Sequence, residues 1–247
     1  LDEDKLIAAD PAMAVGDQSH LPGIERPSNG QADVALHFHN QDGSASAACG
    51  NGTRCAAALL MDDAGSDALV IETSAGRLAA ERLANGLFAV NMGPARMDWQ
   101  DIPLAEEQDT LSLPLSVGPL ADPVAVSMGN PHCIFFVDDA ESVDLEAYGR
   151  EVETHPLFPE RTNVEAASVG SDGTIRLRVW ERGVGITLAC GSGACATGVA
   201  ASRRGLIGRT ADIRVDGGGI LSVDWQESGD VILTGPVALS FRGEFDA

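Results

Sequence analysis

Apolar and polar positions alternate in two stretches of the chain, 34–39 and 175–180, and this period of two predicts a β-strand in each. A glycine-rich motif follows each stretch, and beyond it the chain is rich in alanine. We expect helices there, over 53–63 and over 194–204. The second is expected to end at Gly205, because two arginines precede it and suit the last turn of a helix.

The two glycine-rich motifs are copies of one another. Ala48-Cys49-Gly50-Asn51-Gly52-Thr53-Arg54-Cys55 recurs as Ala189-Cys190-Gly191-Ser192-Gly193-Ala194-Cys195, and 141 residues separate Cys49 from Cys190. Strand-like patterns follow both predicted helices, at 69–72, 78–82 and 87–92 in the first half and at 212–215, 220–225 and 231–234 in the second. Self-similarity over so much of the chain indicates a duplicated unit.

The duplication predicts an α+β fold of two pseudo-symmetric β-rich domains, each wrapped around a central helix. We expect the boundary within 113–123, where three prolines and a glycine cluster. The predicted domains are therefore residues 1–116, which carry Cys49, and residues 117–247, which carry Cys190. Both are of ordinary size for a domain.

The first thirty residues do not follow the repeat. Pro22-Gly23 and Asn29-Gly30 are dipeptides typical of turns, so we expect a loop at both. Residues 1–10 are expected to form one short helix.

Each repeated motif places a cysteine just ahead of a predicted helix. Backbone N–H groups without helical partners, and the positive end of the helix dipole, lie at such a point. Both lower the pKa of a thiol from its free value of about 8.5, which predicts a usable thiolate fraction near neutral pH. The glycines allow the backbone to approach a ligand closely and to direct amides at a carboxylate.

Two such cysteines facing one ligand suit the inversion of a stereocentre. A thiolate removes the Cα proton from one face while a thiol delivers a proton to the other, and the pair exchanges roles for the opposite enantiomer. Negative charge develops on the α-carboxylate, where two helix N-termini can stabilise it without a cofactor. The duplicated pair therefore predicts an amino-acid racemase or epimerase.

A simpler role accounts for the other three cysteines. Other functions of the Cys49 and Cys190 motifs fit the sequence less well. Cys55, Cys133 and Cys195 are expected to be packing residues, because most buried cysteines act as small hydrophobes. The spacings Cys-x5-Cys and Cys-x4-Cys fit zinc poorly. Neither motif has the Gly-Lys-Ser/Thr of a phosphate loop. A disulfide between Cys49 and Cys190 stays open on geometry, although it does not suit a reducing compartment.

Composition narrows the classes of partner. With 16 Lys and Arg against 37 Asp and Glu, the net charge is −21, which argues against nucleic-acid and membrane binding. No apolar run approaches the ~18 residues of a membrane span, and the first residues lack the pattern of a signal peptide. Five cysteines, an odd number, favour reduced thiols and hence a cytoplasmic protein.

These motifs resemble those of the diaminopimelate epimerase family, whose members interconvert LL- and meso-diaminopimelate on the route to lysine and peptidoglycan. The resemblance covers residues 33–247. Besides the cysteine motifs, it rests on Asn40-Gln41-Asp42-Gly43-Ser44, Met128-Gly129-Asn130-Pro131-His132-Cys133, Glu160-Arg161-Thr162-Asn163-Val164 and Val179-Trp180-Glu181-Arg182-Gly183.

The resemblance implies a role for each matching residue. The proton-transfer residues would be Cys49 and Cys190, and the amides that hold the α-carboxylate would be those of Gly50, Asn51, Gly191 and Ser192. The distal end of the substrate would be bound by Asn40, Asn130, Asn163 and Arg182, with Glu181 near its ammonium group. The thiol pKa values would be tuned by His132 and Glu181. The resemblance also implies diaminopimelate as substrate, a site in the cleft between the domains, no cofactor or metal, and a homodimer.

Several of these residues also have a purely structural explanation. Asn130-Pro131 is a turn signal, and Asn40 before Asp42-Gly43 suits a hairpin turn. Glu181-Arg182 alone suits a solvated charge pair. Their polar chemistry nonetheless fits a substrate with two zwitterionic ends, where amides and an arginine give directional hydrogen bonds.

One family motif is absent. Family members begin with a strand that carries a Gly-Asn-Asp-Phe-type motif, followed by a glycine-rich segment ending in Asp-Gln or Asp-Gly. Here only Val15-Gly16-Asp17-Gln18 matches the second part, which makes Gln18 the candidate substrate-binding residue of this segment. Two alternatives therefore stay open. One is a proline racemase-like enzyme of the same superfamily, and the other is a catalytically weak relative that binds an amino-acid-like ligand.

Overall fold

A computed structural model of the chain describes residues 21–25, 31–39, 45–46, 50–74, 76–217 and 219–237. The helices are α1 (Gly50–Ala64), α2 (Leu145–Glu153) and α3 (Gly191–Arg203), with a 3₁₀ turn at Ala140–Ser142. The strands are β1 (Leu21–Glu25), β2 (Val34–His39), β3 (Ala45–Ser46), β4 (Ala68–Thr73), β5 (Gly76–Arg82), β6 (Phe88–Pro94), β7 (Ser116–Val117), β8 (Leu120–Ala121), β9 (Val124–Ser127), β10 (Pro131–Phe136), β11 (Asn163–Val169), β12 (Ile175–Glu181), β13 (Gly185–Thr187), β14 (Thr210–Arg214), β15 (Ile220–Trp225) and β16 (Asp230–Gly235).

The predicted duplication is confirmed by the strand connections. One mixed sheet has the order β1-β2-β4-β5-β6-β16-β15-β14-β12-β11-β10-β9, with β3 beside β2 and β13 beside β12. Within it, β1-β2-β4-β5-β6 and β11-β12-β14-β15-β16 share one sequence of pairings: antiparallel, parallel, antiparallel, antiparallel. Helix α1 precedes β4 just as α3 precedes β14. The fold is therefore the predicted α+β duplication.

The two repeats are joined edge to edge. Strand β16, the last of the second repeat, pairs antiparallel with β6, the last of the first, through Leu233 opposite Val90 and Thr234 opposite Ala89. Asn91 Nδ2 donates to Asp230 Oδ2 at 3.1 Å across the same seam. The division proposed at residues 116 and 117 falls within the two-residue strand β7, and it stays a prediction.

Both central helices are enclosed by the chain. Every residue of α3 from Gly193 to Ala201 is buried, and most of α1 is as well. In α3 small side chains, mainly alanine and glycine, allow such close packing, since a helix that is largely apolar on all sides belongs in a core. Helix α1 also buries polar side chains in its first turns, namely Asn51, Thr53 and Arg54. Helix α3 ends at Arg203, one residue before the predicted end at Arg204. Gly205, the predicted stop, has φ +69° and donates its N–H to the Ser202 carbonyl.

Both helices begin three residues earlier than predicted. The patterns predicted starts at Thr53 and Ala194, whereas α1 begins at Gly50 and α3 begins at Gly191. Glycine has a low helix propensity, which made these positions resemble loop. The low helix propensity of glycine is tolerated in these first turns, because the two helix starts lie so close together that a side chain at Gly50 or Gly191 would be crowded.

The loop expected at Pro22-Gly23 is wrong. Both residues lie in β1, which pairs antiparallel with β2 from Leu21 opposite His39 to Glu25 opposite Ala35. Strand β1 ends the strand order of the described sheet, and proline is tolerated in an edge strand because its missing N–H need not reach a neighbour. The helix predicted for residues 1–10 lies outside the described residues.

A second, smaller core lies between α2 and the sheet. It is formed by side chains that include Leu113, Leu120, Phe135, Leu145 and Val152. Helix α2 begins at the N-cap Asp144, whose side chain accepts the Ala147 N–H at 3.1 Å. Within the described ranges, no helix is both long and apolar enough to cross a membrane.

Candidate active site

The first turns of α1 and α3 are in contact. A Cβ placed on Gly191 would lie 3.2 Å from Gly50 Cα and 3.3 Å from the Asn51 nitrogen. Asn51 Nδ2 donates to the Ala189 carbonyl at 3.4 Å, so a side chain of one repeat hydrogen-bonds to the other. The amino ends of two helices, each with N–H groups suited to an anion, therefore meet at one point.

Cys190 occupies the N-cap position of α3. Its backbone is extended, with φ −123° and ψ 118°, and its sulfur accepts the Gly193 N–H at 3.4 Å. Ser192 Oγ lies 3.4 Å from the same sulfur. The thiol is buried, at 8 % exposure, and it forms no disulfide.

The expected lowering of the thiol pKa is wrong for Cys190. Burial raises the pKa of this thiol well above its ordinary value, and the charges of Glu181 and Glu165 raise it further. The hydrogen bonds from Ser192 and Gly193 act in the opposite direction and do not compensate. The prediction from the helix start took no account of the desolvation or of the charge of Glu165, and it named Glu181 as a residue that tunes the pKa without the direction of its effect.

Glu181 stands at the end of β12, as predicted, and is buried. Its carboxylate accepts the Thr187 hydroxyl of β13. The following residue, Arg182, is exposed; its backbone N–H donates to Asn163 Oδ1 at 2.9 Å, and its Nη1 donates to the Glu160 carbonyl at 3.2 Å. These hydrogen bonds fix the turn after β12, and the Arg182 side chain stays exposed.

The Asn163 side chain is hydrogen-bonded to two other segments of this site. Besides accepting the Arg182 N–H, it donates from Nδ2 to the Pro131 carbonyl at 2.8 Å, and it is buried. An amide NH2 has two hydrogens, and the contact to Pro131 uses one of them. Asn130 lies beside Pro131, in a turn where Gly129 has φ +94°.

His132 connects the turn at Asn130 to the core. Its Nε2 lies 3.1 Å from Asn130 Oδ1, and Asn130 Nδ2 donates to Ser192 Oγ at 3.3 Å. On the other side of the ring, Nδ1 lies 2.6 Å from Glu165 Oε1. A continuous chain of hydrogen bonds therefore joins Glu165 on β11 to the sulfur of Cys190.

Two buried carboxylates were not predicted from the sequence. Glu165, on β11, directly follows the family motif that ends at Val164. Glu153, at the end of α2, accepts the Trp180 Nε1–H at 2.8 Å and the Gly183 N–H at 3.0 Å. Their signal in the sequence is weak: Glu165 is the one charged residue in the strand Asn163–Val169.

Three of the proposed site residues lie outside the described residues, namely Gln18, Asn40 and Cys49. Their placement beside the others stays a prediction. The remaining ones lie around the start of α3 or at the ends of β10, β11 and β12, namely Gly50, Asn51, Asn130, His132, Asn163, Glu181, Arg182, Cys190, Gly191 and Ser192. Within the described ranges, no group of three or more His, Cys, Asp or Glu side chains could hold a metal ion.

The chain matches a known protein family over most of its length. A family model described as diaminopimelate epimerase matches residues 19–98 and 124–240. The diaminopimelate epimerase of Rhodospirillum centenum is 53 % identical over 221 residues, covering 90 % of this chain and 76 % of that protein. That of Phenylobacterium zucineum is 51 % identical over 245 residues, covering 98 % of this chain and 82 % of the relative.

Solved structures of more distant proteins share the fold. A probable proline racemase from Agrobacterium radiobacter has a TM-score of 0.63 at 18 % identity, covering 87 % of this chain and 72 % of that chain. A predicted epimerase from Pseudomonas aeruginosa has a TM-score of 0.63 at 19 % identity, covering 91 % and 83 %. At these identities the likeness concerns the fold alone.

Proposed function

This chain belongs to the diaminopimelate epimerase family, and we propose that it inverts one stereocentre of diaminopimelate with Cys49 and Cys190 as the two acid–base residues. It is an isomerase of lysine biosynthesis that interconverts the LL and meso forms. The observation that carries the assignment of residues is the contact between the amino ends of α1 and α3. Cys190 caps α3, and Cys49 precedes α1 at the matching position of the first repeat.

The reaction needs one proton to leave Cα and another to arrive on the opposite face. The thiolate of one cysteine takes the proton, so that an S–H bond forms, the C–H bond breaks and its electron pair stays on Cα. The other cysteine then donates its thiol proton to Cα, which leaves it as the thiolate. The raised pKa of Cys190 favours its protonated form, which is the form that donates a proton to Cα.

The developing charge is stabilised by the two helix starts. As the proton leaves Cα, negative charge moves onto the α-carboxylate. The backbone N–H groups of Gly50, Asn51, Gly191 and Ser192 lie in first turns, where N–H groups have no helical acceptor. They gain most when the carboxylate carries extra charge, which favours the transition state over the substrate.

The distal end of the substrate carries a second carboxylate and a second ammonium group. Arg182 supplies an exposed guanidinium, and amide groups come from Asn130, directly before β10, and Asn163, at the start of β11. Glu181 supplies a carboxylate that can pair with an ammonium group. Asn40 and Gln18 complete the proposed set from the first half of the chain.

The assignment is tested by Cα deuteration of LL-diaminopimelate in D2O, followed by NMR under reducing conditions. Cys49→Ser and Cys190→Ser should each abolish epimerisation, because each removes one of the two bases. Cys55→Ser is the matched control and should leave most of the activity, since Cys55 lies within α1. An absence of exchange in the wild-type protein would exclude the epimerase, and exchange of proline in place of diaminopimelate would select the proline racemase-like alternative.

We further infer a homodimer in a reducing, cytoplasmic setting. The free thiols of Cys55, Cys133, Cys190 and Cys195 support the reducing compartment. Exposed apolar side chains at Val184, Ile186 and Leu188 are suited to a contact between subunits. Light scattering on the purified protein tests the dimer, and a mass of about 26 kDa, that of one 25.6 kDa chain, would exclude it.

A further inference from the structure

Glu165 is a buried carboxylate to which the family resemblance gives no role. It lies on β11, with Ile134 of β10 on one side and Val179 of β12 on the other, and its side chain is fully buried. Its Oε1 lies 2.6 Å from His132 Nδ1, whereas Oε2 has no hydrogen-bond partner among the described residues. A carboxyl group is costly to bury, so its presence here calls for a function.

The series of hydrogen bonds from Glu165 to Cys190 has a direction between His132 and Ser192, which its donor and acceptor groups determine. Asn130 Nδ2 donates to Ser192, so its Oδ1, which can only accept, faces His132 Nε2. His132 Nε2 must therefore carry a hydrogen. Ser192 Oγ accepts from Asn130 and lies 3.4 Å from the Cys190 sulfur, a contact in which either atom can donate.

The other ring nitrogen of His132 depends on Glu165. With a hydrogen on Nε2, a neutral ring needs a donor at Nδ1, and a charged ring needs an acceptor there. Glu165 supplies either one, as a carboxylic acid or as a carboxylate. Burial raises the pKa of Glu165, while the charge and hydrogen bond of His132 act against that rise.

We propose that Glu165 is a positioning residue of the epimerisation: it holds His132 in the form with a hydrogen on Nε2, and so orients Asn130 and Ser192 toward the sulfur of Cys190. This inference rests on the proposed function and deepens it. Without Glu165, the hydrogen of a neutral ring is shared between Nδ1 and Nε2. The Nδ1–H form would face Asn130 Oδ1 with an unprotonated nitrogen and turn the amide over.

The start of α3 is built around this carboxylate. A Cβ on Gly193 would lie 2.9 Å from Glu165 Oε1 and 3.4 Å from the Cys190 sulfur. Only glycine at position 193 allows the carboxylate to approach the first turn of α3 so closely. The repeated Cys-Gly-x-Gly motif thus accommodates Glu165 at its second glycine, in addition to offering amides to a ligand.

Two variants at Glu165 separate its effect on the orientation of His132 from the effect of its negative charge. In Glu165→Gln the new side chain has the same shape and can donate an amide hydrogen to His132 Nδ1, so His132 keeps its hydrogen on Nε2. Glu165→Asp keeps the charge, but its shorter side chain does not reach the ring. We expect Glu165→Gln to retain at least about half of kcat, and Glu165→Asp to lose about tenfold or more in kcat with a smaller change in KM.

A second readout does not depend on turnover. In protein labelled with ¹⁵N at histidine, NMR should show the Nε2–H form of His132 in the wild type and in Glu165→Gln, and a mixture of both forms in Glu165→Asp. The proposal is overturned if Glu165→Asp keeps wild-type kcat and one His132 form, or if Glu165→Gln is as impaired as Glu165→Asp. Failure of the proposed function would instead appear as a wild-type protein without Cα exchange, whatever the state of His132.

Discussion

Gly191 of the second repeat packs directly on Gly50 of the first. A Cβ on Gly191 would lie 3.2 Å from Gly50 Cα, which is tighter than most real contacts of a Cβ atom. The nearest atoms that it would meet include backbone, which cannot rotate away. This contact sets the spacing between the amino ends of α1 and α3, and hence between the two groups of N–H donors.

Gly191→Ala should therefore separate the two helix starts. We expect a loss of stability of about 1–3 kcal/mol from overpacking, and a larger fall in epimerase activity than the folded fraction explains. Gly208→Ala is the matched control, because a Cβ there would meet nothing within 4 Å. Thermal unfolding and Cα exchange on both variants check this, and equal activity in the two would contradict it.

The reactivity of Cys190 should depend on pH in a defined direction. Its raised pKa means that the thiol is protonated at neutral pH, and alkylation requires the thiolate. In Cys49→Ser protein, we expect the rate of iodoacetamide labelling at Cys190 to rise continuously through pH 7 to about 9. The rate in the unfolded chain should instead level off above the free pKa of about 8.5.

Peptide mass spectrometry measures this rate at Cys190 alone. Burial lowers the rate at every pH, whereas the shape of the pH curve reports the pKa. A plateau of the native rate below pH ~8 would show that the helix start outweighs burial and the charges of Glu181 and Glu165.

Glu153 should support substrate binding without contacting the substrate. Its two oxygens accept hydrogen bonds from Trp180 Nε1 and the Gly183 N–H, on either side of Glu181 and Arg182. Glu153→Gln replaces one acceptor with an NH2 group that faces a donor. We expect a loss of about 1–3 kcal/mol and a raised KM for diaminopimelate.

The control for this variant is Glu160→Gln, which makes the same chemical change at an exposed position. We expect wild-type stability and KM there, because the contact to Arg182 uses the Glu160 backbone carbonyl. Urea unfolding and steady-state kinetics measure both variants. An unchanged KM in Glu153→Gln would show that the turn after β12 holds its shape without this carboxylate.

The repeated elements could be predicted because their signals are local. The alternation before each cysteine, the alanine-rich stretch after it and the strands beyond depend on residues close in sequence. The pairing of His132 with Glu165 is different, since it exists only because β10 and β11 are parallel neighbours with His132 opposite Asn163. A strand's own sequence does not tell which strand it will adjoin, so the hydrogen-bond chain to Cys190 could not be derived.

The thiol pKa could not be predicted for a related reason. A helix start is visible in the sequence, and its effect on a cysteine is well defined. Burial of Cys190 and the approach of Glu165 depend on how the strands around α3 close over it. Local signals therefore predict the position of the cysteine correctly and the direction of its pKa wrongly.

Leu233 couples the seam between the repeats to the site. It is fully buried on β16, opposite Val90 of β6, and its Cδ2 would lie 3.2 Å from a Cβ on either Gly50 or Gly191. Leu233→Ala should cost about 2–5 kcal/mol, because it leaves a cavity. The cavity would lie directly against both helix starts, so we expect them to shift.

Leu120→Ala is the matched control, since Leu120 is equally buried but belongs to the second core beneath α2. The two variants should lose similar stability. At a temperature where both remain folded, Leu233→Ala should show the lower kcat for Cα exchange, because only that cavity changes the spacing of the N–H groups that hold the α-carboxylate. If both variants keep the same kcat, the seam between β6 and β16 stabilises the fold without setting the geometry of the site.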